Sequence, residues 1–291
     1  MHNECQICGN SSVGLVLNDL PMKKCVNCGL VWRQDFDIDP DCYREEHIYL
    51  GSEKVKGRSS NSRQRIAIFK KYADLNNLLD VGTGDGIFLK TLTLQGYRNV
   101  LGLEPSIKNA DFIKDNNLRV IEGCLSDICR VVRENNINTV ALFHVIEHLP
   151  DPLESLKLVF DGLKKGDKLI IETPDIEAYA FRKRDYRTKN FYNEHLFYFN
   201  QKNLKDILVK AGFKAVASGR RDFDQFNMSI KECLFRLGLL NDKIATVEKK
   251  EKTAGFSSKE DSALTKLARK VLSRAVVALN RLNYSWIVVE K

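Results

Sequence analysis

Two pairs of cysteines near the N-terminus have the spacing of a metal site. Cys5 and Cys8 bracket two residues, and after 16 further residues Cys25 and Cys28 repeat that spacing. Zinc prefers four ligands in a tetrahedron, and each such turn supplies two thiolates. Because all four positions are cysteines and none is left for water, the pattern predicts a structural zinc ion rather than a catalytic one. Two disulfides or redox-active dithiols are the alternative.

A glycine-rich loop marks a second candidate site. An apolar run leads into Gly82, Gly84 and Gly86, where glycine lets the backbone approach a ligand closely. A dinucleotide fingerprint has its third glycine one residue later, at the position that Ile87 occupies here. The loop instead suits a cofactor with an amino-acid tail. Glu104 ends the next apolar run, 20 residues beyond Gly84, where a carboxylate can accept both hydroxyls of a ribose.

Histidine is the usual side chain for moving protons near neutral pH, and the chain contains five. His195 follows the fifth predicted strand and precedes a predicted helix, so we expect it near the active end of the sheet. Tyr192 and Glu194 share one side of that segment if it is extended. A structural histidine that holds the loop is the alternative. For His144 and His148, contact with substrate and packing at a strand–helix junction both remain open.

Alternating strand and helix patterns must position these residues. Apolar strand patterns occur at 78–82, 100–104, 120–121, 139–145, 168–172 and 214–217, and helical patterns at 87–95, 107–115, 152–163 and 201–211. Strands that alternate with helices predict a parallel sheet covered by helices on both faces. In such sheets, ligands bind at the carboxyl ends of the strands.

The segments LLDVGTGDGIFLKTL, VLGLEPS and LFHVIEHLPDP resemble the consecutive motifs of class I S-adenosylmethionine-dependent methyltransferases, over about residues 77–212. The resemblance implies a Rossmann-like α/β sheet that ends in an antiparallel hairpin, with 285–290 as the returning strand. It also implies roles for individual residues. The glycine-rich loop would hold the methionine moiety through Asp80, Gly82, Thr83, Gly84 and Gly86, and Glu104 would bind the ribose. Cys124 and Leu125, after the third strand, would lie beside the adenine. Phe143 and His144, at the end of the fourth strand, would line the sulfonium side.

The segment YNEHLFYF resembles the Tyr-x-Glu-His segment of zinc-containing sugar C-methyltransferases that act on nucleotide-linked keto sugars. This resemblance implies that His195 is the general base, assisted by Tyr192 and Glu194. It also implies a small-molecule acceptor, a sugar or nucleotide-linked sugar. Five cations within residues 182–189 suit a phosphorylated acceptor, with a solvated loop as the alternative. C-, O- and N-methylation remain open.

Composition and charge indicate the cellular location of the protein and a candidate membrane contact. Of 291 residues, 43% are hydrophobic, no apolar run approaches a membrane span, and the N-terminus is polar, so we expect a cytoplasmic protein. The last 56 residues, from Arg236, hold 12 basic and 6 acidic side chains and so +6 of the net charge of +8. Apolar residues recur there at helical spacing among the cations, from Leu264 to Leu279. This basic amphipathic helix is a lid over the site or a peripheral membrane contact.

Together these patterns predict an α/β fold, a Rossmann-like class I methyltransferase sheet with a small N-terminal zinc ribbon and a helical C-terminal insertion. We divide the chain into a zinc-binding module (1–50), a linker and leading helix (51–76), the methyltransferase core (77–227), a helical lid or insertion (228–283) and the returning strand (284–291). An RNA methyltransferase, with the zinc module and basic surface binding RNA, is the second hypothesis. A non-catalytic cofactor-binding protein is the third.

Overall fold

The computed structural model describes residues 4–17, 20–34, 52–178, 195–222, 228–240, 263–279 and 282–291. The described strands are β1 (Ser12–Leu17), β2 (Leu20–Cys25), β3 (Val31–Arg33), β4 (Asn77–Val81), β5 (Asn99–Glu104), β6 (Val120–Glu122), β7 (Thr139–Phe143), β8 (Lys168–Pro174), β9 (Phe197–Tyr198), β10 (Lys214–Arg221) and β11 (Tyr284–Glu290). The described helices are α1 (Ser52–Phe69), α2 (Ile87–Leu94), α3 (Ile107–Asp115), α4 (Ile128–Glu134), α5 (Pro152–Gly162), α6 (Gln201–Lys210), α7 (Ile230–Arg236) and α8 (Ala263–Ala278).

Seven of the strands form the central sheet, in the order β10-β11-β8-β7-β4-β5-β6. The pairs from β8 to β6 are parallel, whereas β11 lies antiparallel between β8 and β10. All five residues of β7 are buried, as expected for a central strand with helices on both faces. The predicted Rossmann-like α/β methyltransferase fold is confirmed, with 284–290 as the returning strand.

The strand order reverses at β4, and this reversal determines where a ligand site forms. From β4 the chain goes to β5 on one side, and later returns to place β7 on the other side. The loops that leave the carboxyl ends of β4 and β7 therefore diverge and open a crevice between them. The glycine-rich loop follows β4, and Phe143 and His144 stand at the end of β7.

The segment 51–76 was expected to be a linker and a leading helix, with its polar first part, 51–65, as the linker, but α1 already begins at Ser52. Propensity disfavours a helix here, because the segment contains a glycine and several serines. The helix is held by its C-terminal half, where Ile66 and Phe69 are buried in the core and Arg65 forms a buried ion pair with Glu172. Tertiary packing thus outweighs the local composition.

A second, four-stranded sheet has the order β1-β2-β3-β9 and joins distant parts of the chain. β1, β2 and β3 come from the cysteine-rich segment, and β9 begins two residues after His195. β3 and β9 pair antiparallel through Val31 with Tyr198 and Trp32 with Phe197. The N-terminal segment therefore adds to the core through main-chain pairing, which the sequence patterns did not predict.

The C-terminal helices α7 and α8 pack on each other. Cys233 of α7 and Val276 of α8 are fully buried in a small cluster with Met228 and Leu282. Of the apolar residues that recur along this predicted amphipathic helix, Leu264, Leu267, Val271 and Leu279 are exposed, whereas Val276 is buried. Among the described residues, no helix has both the length and the apolar character needed to cross a membrane.

Candidate active site

The loop after β4 has the backbone geometry of a ligand cradle. Gly82 and Gly84 both have positive φ, 67° and 58°. A Cβ on Gly82 would come within 2.7 Å of the Val145 side chain, whereas a Cβ on Gly84 would meet no atom within 4 Å. Gly82 is therefore required by packing against the loop after β7. Gly84 leaves open space above the loop, which suits the close approach of a bound cofactor.

Two carboxyl groups organise this loop. Glu104 accepts hydrogen bonds from the backbone N–H of Gly84 (2.8 Å) and of Ser106 (3.1 Å), and from the Asn109 side chain (3.3 Å). Asp80 accepts from the Thr83 hydroxyl at 2.8 Å. Complete burial raises the pKa of Asp80 to about 7, although the Thr83 hydrogen bond opposes the shift. The carboxyl of Glu104 thus links the loop to the end of β5, where a ribose was expected.

The remaining residues predicted to bind the cofactor lie at the same edge of the sheet. Cys124 and Leu125 follow β6, and the Cys124 N–H donates to the Asp127 carboxylate at 3.1 Å. The Phe143 ring meets the ring of Phe88 edge-on, with centroids 5.0 Å apart. The predicted cofactor residues therefore all lie at or just after the carboxyl ends of β4, β5, β6 and β7, and their roles stay predictions.

His144, next to Phe143, lies in a charged environment that the sequence patterns did not predict. Its φ is 59°, a left-handed conformation that is uncommon for a residue with a side chain. Its Nδ1 lies 3.2 Å from the Glu147 carboxylate, and its Nε2 lies 3.3 Å from that of Glu172. Burial alone would lower the pKa of His144, but the two carboxylates outweigh it and raise the pKa. The unusual backbone directs the imidazole between two buried acids.

Glu172 is the centre of a buried ion cluster. Its carboxylate is fully buried and lies 2.6 Å from both the Arg65 and the Arg221 guanidinium groups. Burial would raise the pKa of Glu172, but the two arginines hold it well below its usual range. Arg65 also lies 4.1 Å above the Phe143 ring. The cluster ties α1 and β10 to the site end of β8.

One signal for this cluster was present in the sequence. Glu172 interrupts the apolar strand segment KLIIETP, and a charge inside a buried strand must find a partner. No local pattern distinguishes Arg65 or Arg221 from a solvated arginine, because both owe their burial to residues more than 40 positions away.

His195 lies beside this network, two residues before β9. Its side chain is almost buried, and its ring centroid is 4.7 Å from that of His148. Ligand atoms of Glu147, His148 and His195 lie within 4.8 Å of one another. Burial lowers the pKa of His195 to about 4, with the Glu147 charge opposing and the other two histidines adding to the shift. The imidazole is therefore neutral at neutral pH.

Backbone hydrogen bonds position His195 from both sides. The Leu196 N–H donates to the Glu147 carbonyl at 2.8 Å, and the Leu196 carbonyl accepts from the Arg33 N–H at 2.9 Å. The predicted partners Tyr192 and Glu194, and the basic stretch 182–189, lie outside the described residues. The structure thus brings His195 together with His148 and Glu147.

The four N-terminal cysteines form a compact cluster. The Sγ atoms of Cys5 and Cys28 are 3.5 Å apart, and those of Cys8 and Cys25 are 3.4 Å apart. All four sulfur atoms lie within 4.8 Å of one another. A tetrahedron with Zn–S bonds of about 2.3 Å has sulfur atoms roughly 3.8 Å apart, so the donor set fits zinc. None of the four forms a disulfide.

The thiols of this cluster ionise unequally. Burial raises the pKa of Cys5 and of Cys28. For Cys8, burial is outweighed by hydrogen bonds from Asn10, and the pKa falls to about 6. A cation at the centre of the cluster would stabilise all four thiolates together.

The comparisons with known proteins agree with this architecture. A family described as "Methyltransferase domain" matches residues 53–218, more than half of the chain. The chain belongs to this family of methyltransferase domains.

Among solved structures, a SAM-dependent methyltransferase from Archaeoglobus fulgidus is 20% identical, with a TM-score of 0.50 over 81% of this chain and 94% of that chain. A Thermotoga maritima methyltransferase described as a possible histamine N-methyltransferase also has a TM-score of 0.50, with 16% identity, over 82% of this chain and 93% of that one. Identities this low show the fold alone.

Curated relatives include two proteins named tRNA U34 carboxymethyltransferase. The protein of Desulfotalea psychrophila is 30% identical over 41% of this chain and 39% of its own length. That of Nautilia profundicola is 29% identical over 51% of this chain and 52% of its own length. The chain therefore spans about half the length of the curated relatives that it matches, or less.

Proposed function

We propose that this chain transfers a methyl group from S-adenosylmethionine to a small-molecule acceptor, a sugar or a nucleotide-linked sugar, with His195 as general base. The observation that carries the proposal is the environment of His195. The neutral, nearly buried imidazole of His195 lies next to Glu147 and His148. Glu147 and His148 belong to the loop that follows Phe143 and His144. A neutral imidazole can accept a proton, but the lowered pKa makes His195 a weak base, so the step depends on the Glu147 carboxylate to stabilise the imidazolium that forms.

The residues at the ends of β4 and β5 fit the cofactor. The open space above Gly84 suits the close approach of its amino-acid tail, and the Glu104 carboxylate faces the same loop. When bound, S-adenosylmethionine supplies an electrophilic methyl group on a sulfonium leaving group. The protein must then align the acceptor with that methyl group and remove the acceptor's proton.

In the proposed reaction, His195 accepts the proton of an acceptor hydroxyl or of an acidic carbon. Protonation places a positive charge close to Glu147, whose carboxylate stays ionised because its pKa is about 2, lowered against the effect of burial by its hydrogen bond to His144. The opposite charge of Glu147 stabilises the new imidazolium. Tyr192 and Glu194 remain proposed assistants, on the resemblance to the sugar C-methyltransferases.

The four-cysteine cluster is proposed to hold a structural Zn²⁺. The support is the fit of its four sulfur atoms to a tetrahedral site and its contact with the core. Two asparagines of the α6 start, Asn200 and Asn203, donate to the carbonyl of Cys28, each at 3.4 Å. The metal would therefore stabilise the segment that carries His195 and take no part in the chemistry.

A second candidate is methyl transfer to RNA, and the names of the curated relatives favour it. Those relatives are named for transfer of a carboxymethyl group to tRNA. A single base turned out of its stack could also reach a buried His195. Against RNA, one edge of the cysteine-rich sheet is already occupied by β9 of the core.

The test is transfer of labelled methyl groups from S-adenosylmethionine into a cell extract separated into RNA and small-molecule fractions. Wild-type protein is compared with His195→Ala. Label in the small-molecule fraction that requires His195 would support the proposal and supply a compound to identify. Label confined to RNA would replace it with the second candidate.

Cofactor affinity, measured by titration calorimetry on the same proteins, separates the two parts of the proposal. We expect His195→Ala to bind S-adenosylmethionine within a few fold of wild type while turnover falls by about 10²-fold or more, the usual contribution of a general base. Unchanged turnover in this variant would refute the role of His195. Failure of the wild-type protein to bind S-adenosylmethionine would refute the methyl-transfer proposal itself.

A further inference from the structure

The helix α8 presents an apolar face to solvent. Leu264, Leu267, Val271 and Leu279 are 57–79% exposed, and Ala268 and Ala278 are exposed beside them. At 100° per residue, these side chains fall within about 120° of the helix circumference. They form one continuous stripe, which we call the apolar stripe, rather than scattered surface residues.

The opposite side of α8 already has its partner. Ser273 and Val276 are fully buried, and the Ser273 hydroxyl lies 3.5 Å from the Cys233 sulfur of α7. Leu272 and Val277 pack against the same cluster. The helix is therefore anchored by one face, and this anchoring holds the apolar stripe outward.

Cations flank the apolar stripe. Lys266, Lys270 and Arg274 are exposed and follow one another along one side of the helix, at spacings of four residues. The helix sequence ALTKLARKVLSRAVVA contains no acidic residue. An exposed apolar stripe beside a row of cations is the arrangement of helices that lie in the interface of an anionic membrane.

We propose that α8 docks the protein onto an anionic lipid surface, with the apolar stripe entering the headgroup region and Lys266, Lys270 and Arg274 contacting lipid phosphates. RNA would satisfy the cations but leave the leucines in water. A second copy of the helix would cover the leucines but bring no acidic partner for the cations. A lipid surface with negative headgroups meets both requirements. Because α8 is not long and apolar enough to span a bilayer, it would lie along the surface.

The experiment is co-sedimentation of the full chain with vesicles of phosphatidylcholine alone and of phosphatidylcholine mixed with phosphatidylglycerol. We expect binding to the anionic vesicles that weakens as salt is raised. The variant Leu267→Glu/Val271→Glu removes the apolar stripe, and Lys266→Glu/Lys270→Glu reverses two cations. Each should lower the partition coefficient by about tenfold or more, from lost burial and from lost attraction respectively.

Matched control variants carry equivalent double changes elsewhere. Leu158→Glu/Val209→Glu, on α5 and α6, replaces two other exposed apolar residues, and Lys70→Glu/Lys71→Glu, just after α1, reverses two other exposed cations. Both should bind vesicles as wild type does. Equal losses in the controls, or binding that ignores lipid charge, would overturn the proposal.

Two further outcomes would assign the apolar stripe to another occupant and overturn the proposal. A concentration-dependent dimer in analytical ultracentrifugation that Leu267→Glu/Val271→Glu abolishes, without vesicle binding, would identify a second copy. A marked fall in the melting temperature of that variant would show that the chain itself covers the stripe. Thermal unfolding near that of wild type, a monomer in solution and loss of anionic-vesicle binding together support the membrane contact.

Discussion

The backbone N–H of Arg33, in the cysteine-rich sheet, donates a 2.9 Å hydrogen bond to the carbonyl of Leu196, the residue directly after His195. The N–H of the same Leu196 donates to the Glu147 carbonyl at 2.8 Å. One residue thus connects the N-terminal segment to the loop after β7. The position of the candidate base therefore depends on a segment more than 150 residues earlier in the chain.

The first prediction concerns the four-cysteine cluster. Replacing Cys5 by Ser should remove bound zinc, lower the melting temperature and speed hydrogen exchange in residues 195–200, because the β3–β9 pairing loses its anchored partner. Zinc content by metal analysis and exchange by mass spectrometry measure these effects. Cys129→Ser changes a cysteine outside the cluster and should leave both unchanged. Normal exchange at 195–200 in a zinc-free protein would contradict the coupling.

The second prediction concerns Glu104. In Glu104→Gln, the amide loses the charge that accepts the backbone N–H groups of Gly84 and Ser106, so the loop is less well held. We expect the affinity for S-adenosylmethionine to fall roughly 10- to 100-fold, the scale of one or two lost charge-assisted hydrogen bonds. Calorimetric titration measures this. Glu122→Gln, at the end of the neighbouring strand, is the matched control, and an equal loss there would contradict the assignment.

The third prediction separates two glycines of the same loop. Both have positive φ, but only at Gly82 does a Cβ collide, with Val145 at 2.7 Å. Gly82→Ala should therefore lower the free energy of unfolding by more than Gly84→Ala, which bears only the backbone strain of about 1 kcal/mol. Urea denaturation measures the stability. Gly84→Ala should weaken cofactor binding more than its small loss of stability suggests. Equal losses of unfolding free energy in Gly82→Ala and Gly84→Ala would contradict the different roles of the two glycines.

The fourth prediction is a pH dependence of stability. The folded pKa of Glu147, about 2, lies below its ordinary value of 4.5. A carboxyl with a lowered folded pKa stabilises the protein above its unfolded pKa, and this contribution is lost as the pH falls. Stability should therefore decline from about pH 4.5 towards pH 2, by up to about 3 kcal/mol from this group. Glu172 adds to the decline in the same direction.

The variant Glu147→Gln tests this account. It should be less stable than wild type at neutral pH, because His144 loses a carboxylate partner, and its stability should change less between pH 4.5 and pH 2. Denaturant titrations at several pH values measure both effects. Glu134→Gln, an exposed carboxylate on α4, is the control and should follow the wild-type curve. A Glu147→Gln curve as steep as that of wild type would contradict the shift.

Local patterns were sufficient for the core sheet and for the residues around its crevice. Strand and helix periods predicted β4 to β8, and the spacing of Gly82, Gly84 and Glu104 predicted a cofactor loop linked to the next strand. Such features depend on residues that are close in sequence or on the regular alternation of strands and helices. The cysteine spacing predicted a cluster for the same reason, because each pair lies within one turn.

Other features depended on contacts between distant segments. The polar composition of 51–65 suggested a loop, but Arg65 pairs with Glu172, 107 residues away, and the segment is helical. The helical period of α8 predicted an apolar stripe without indicating which side would be buried. Packing on Cys233 decided that the stripe faces outward.

The sequence alone determined the class of fold, the glycine-rich loop after β4 and the four-thiol cluster, since these require only short spacings and periodic burial. Only the tertiary structure decided that His195 lies against Glu147 and His148, and that the cysteine-rich sheet holds the residue after it. The physical reason is that burial, ion pairing and strand addition act between segments that are far apart in sequence and that meet only when the chain folds. Their effect on a side chain, such as the lowered pKa of His195, therefore has no local signature.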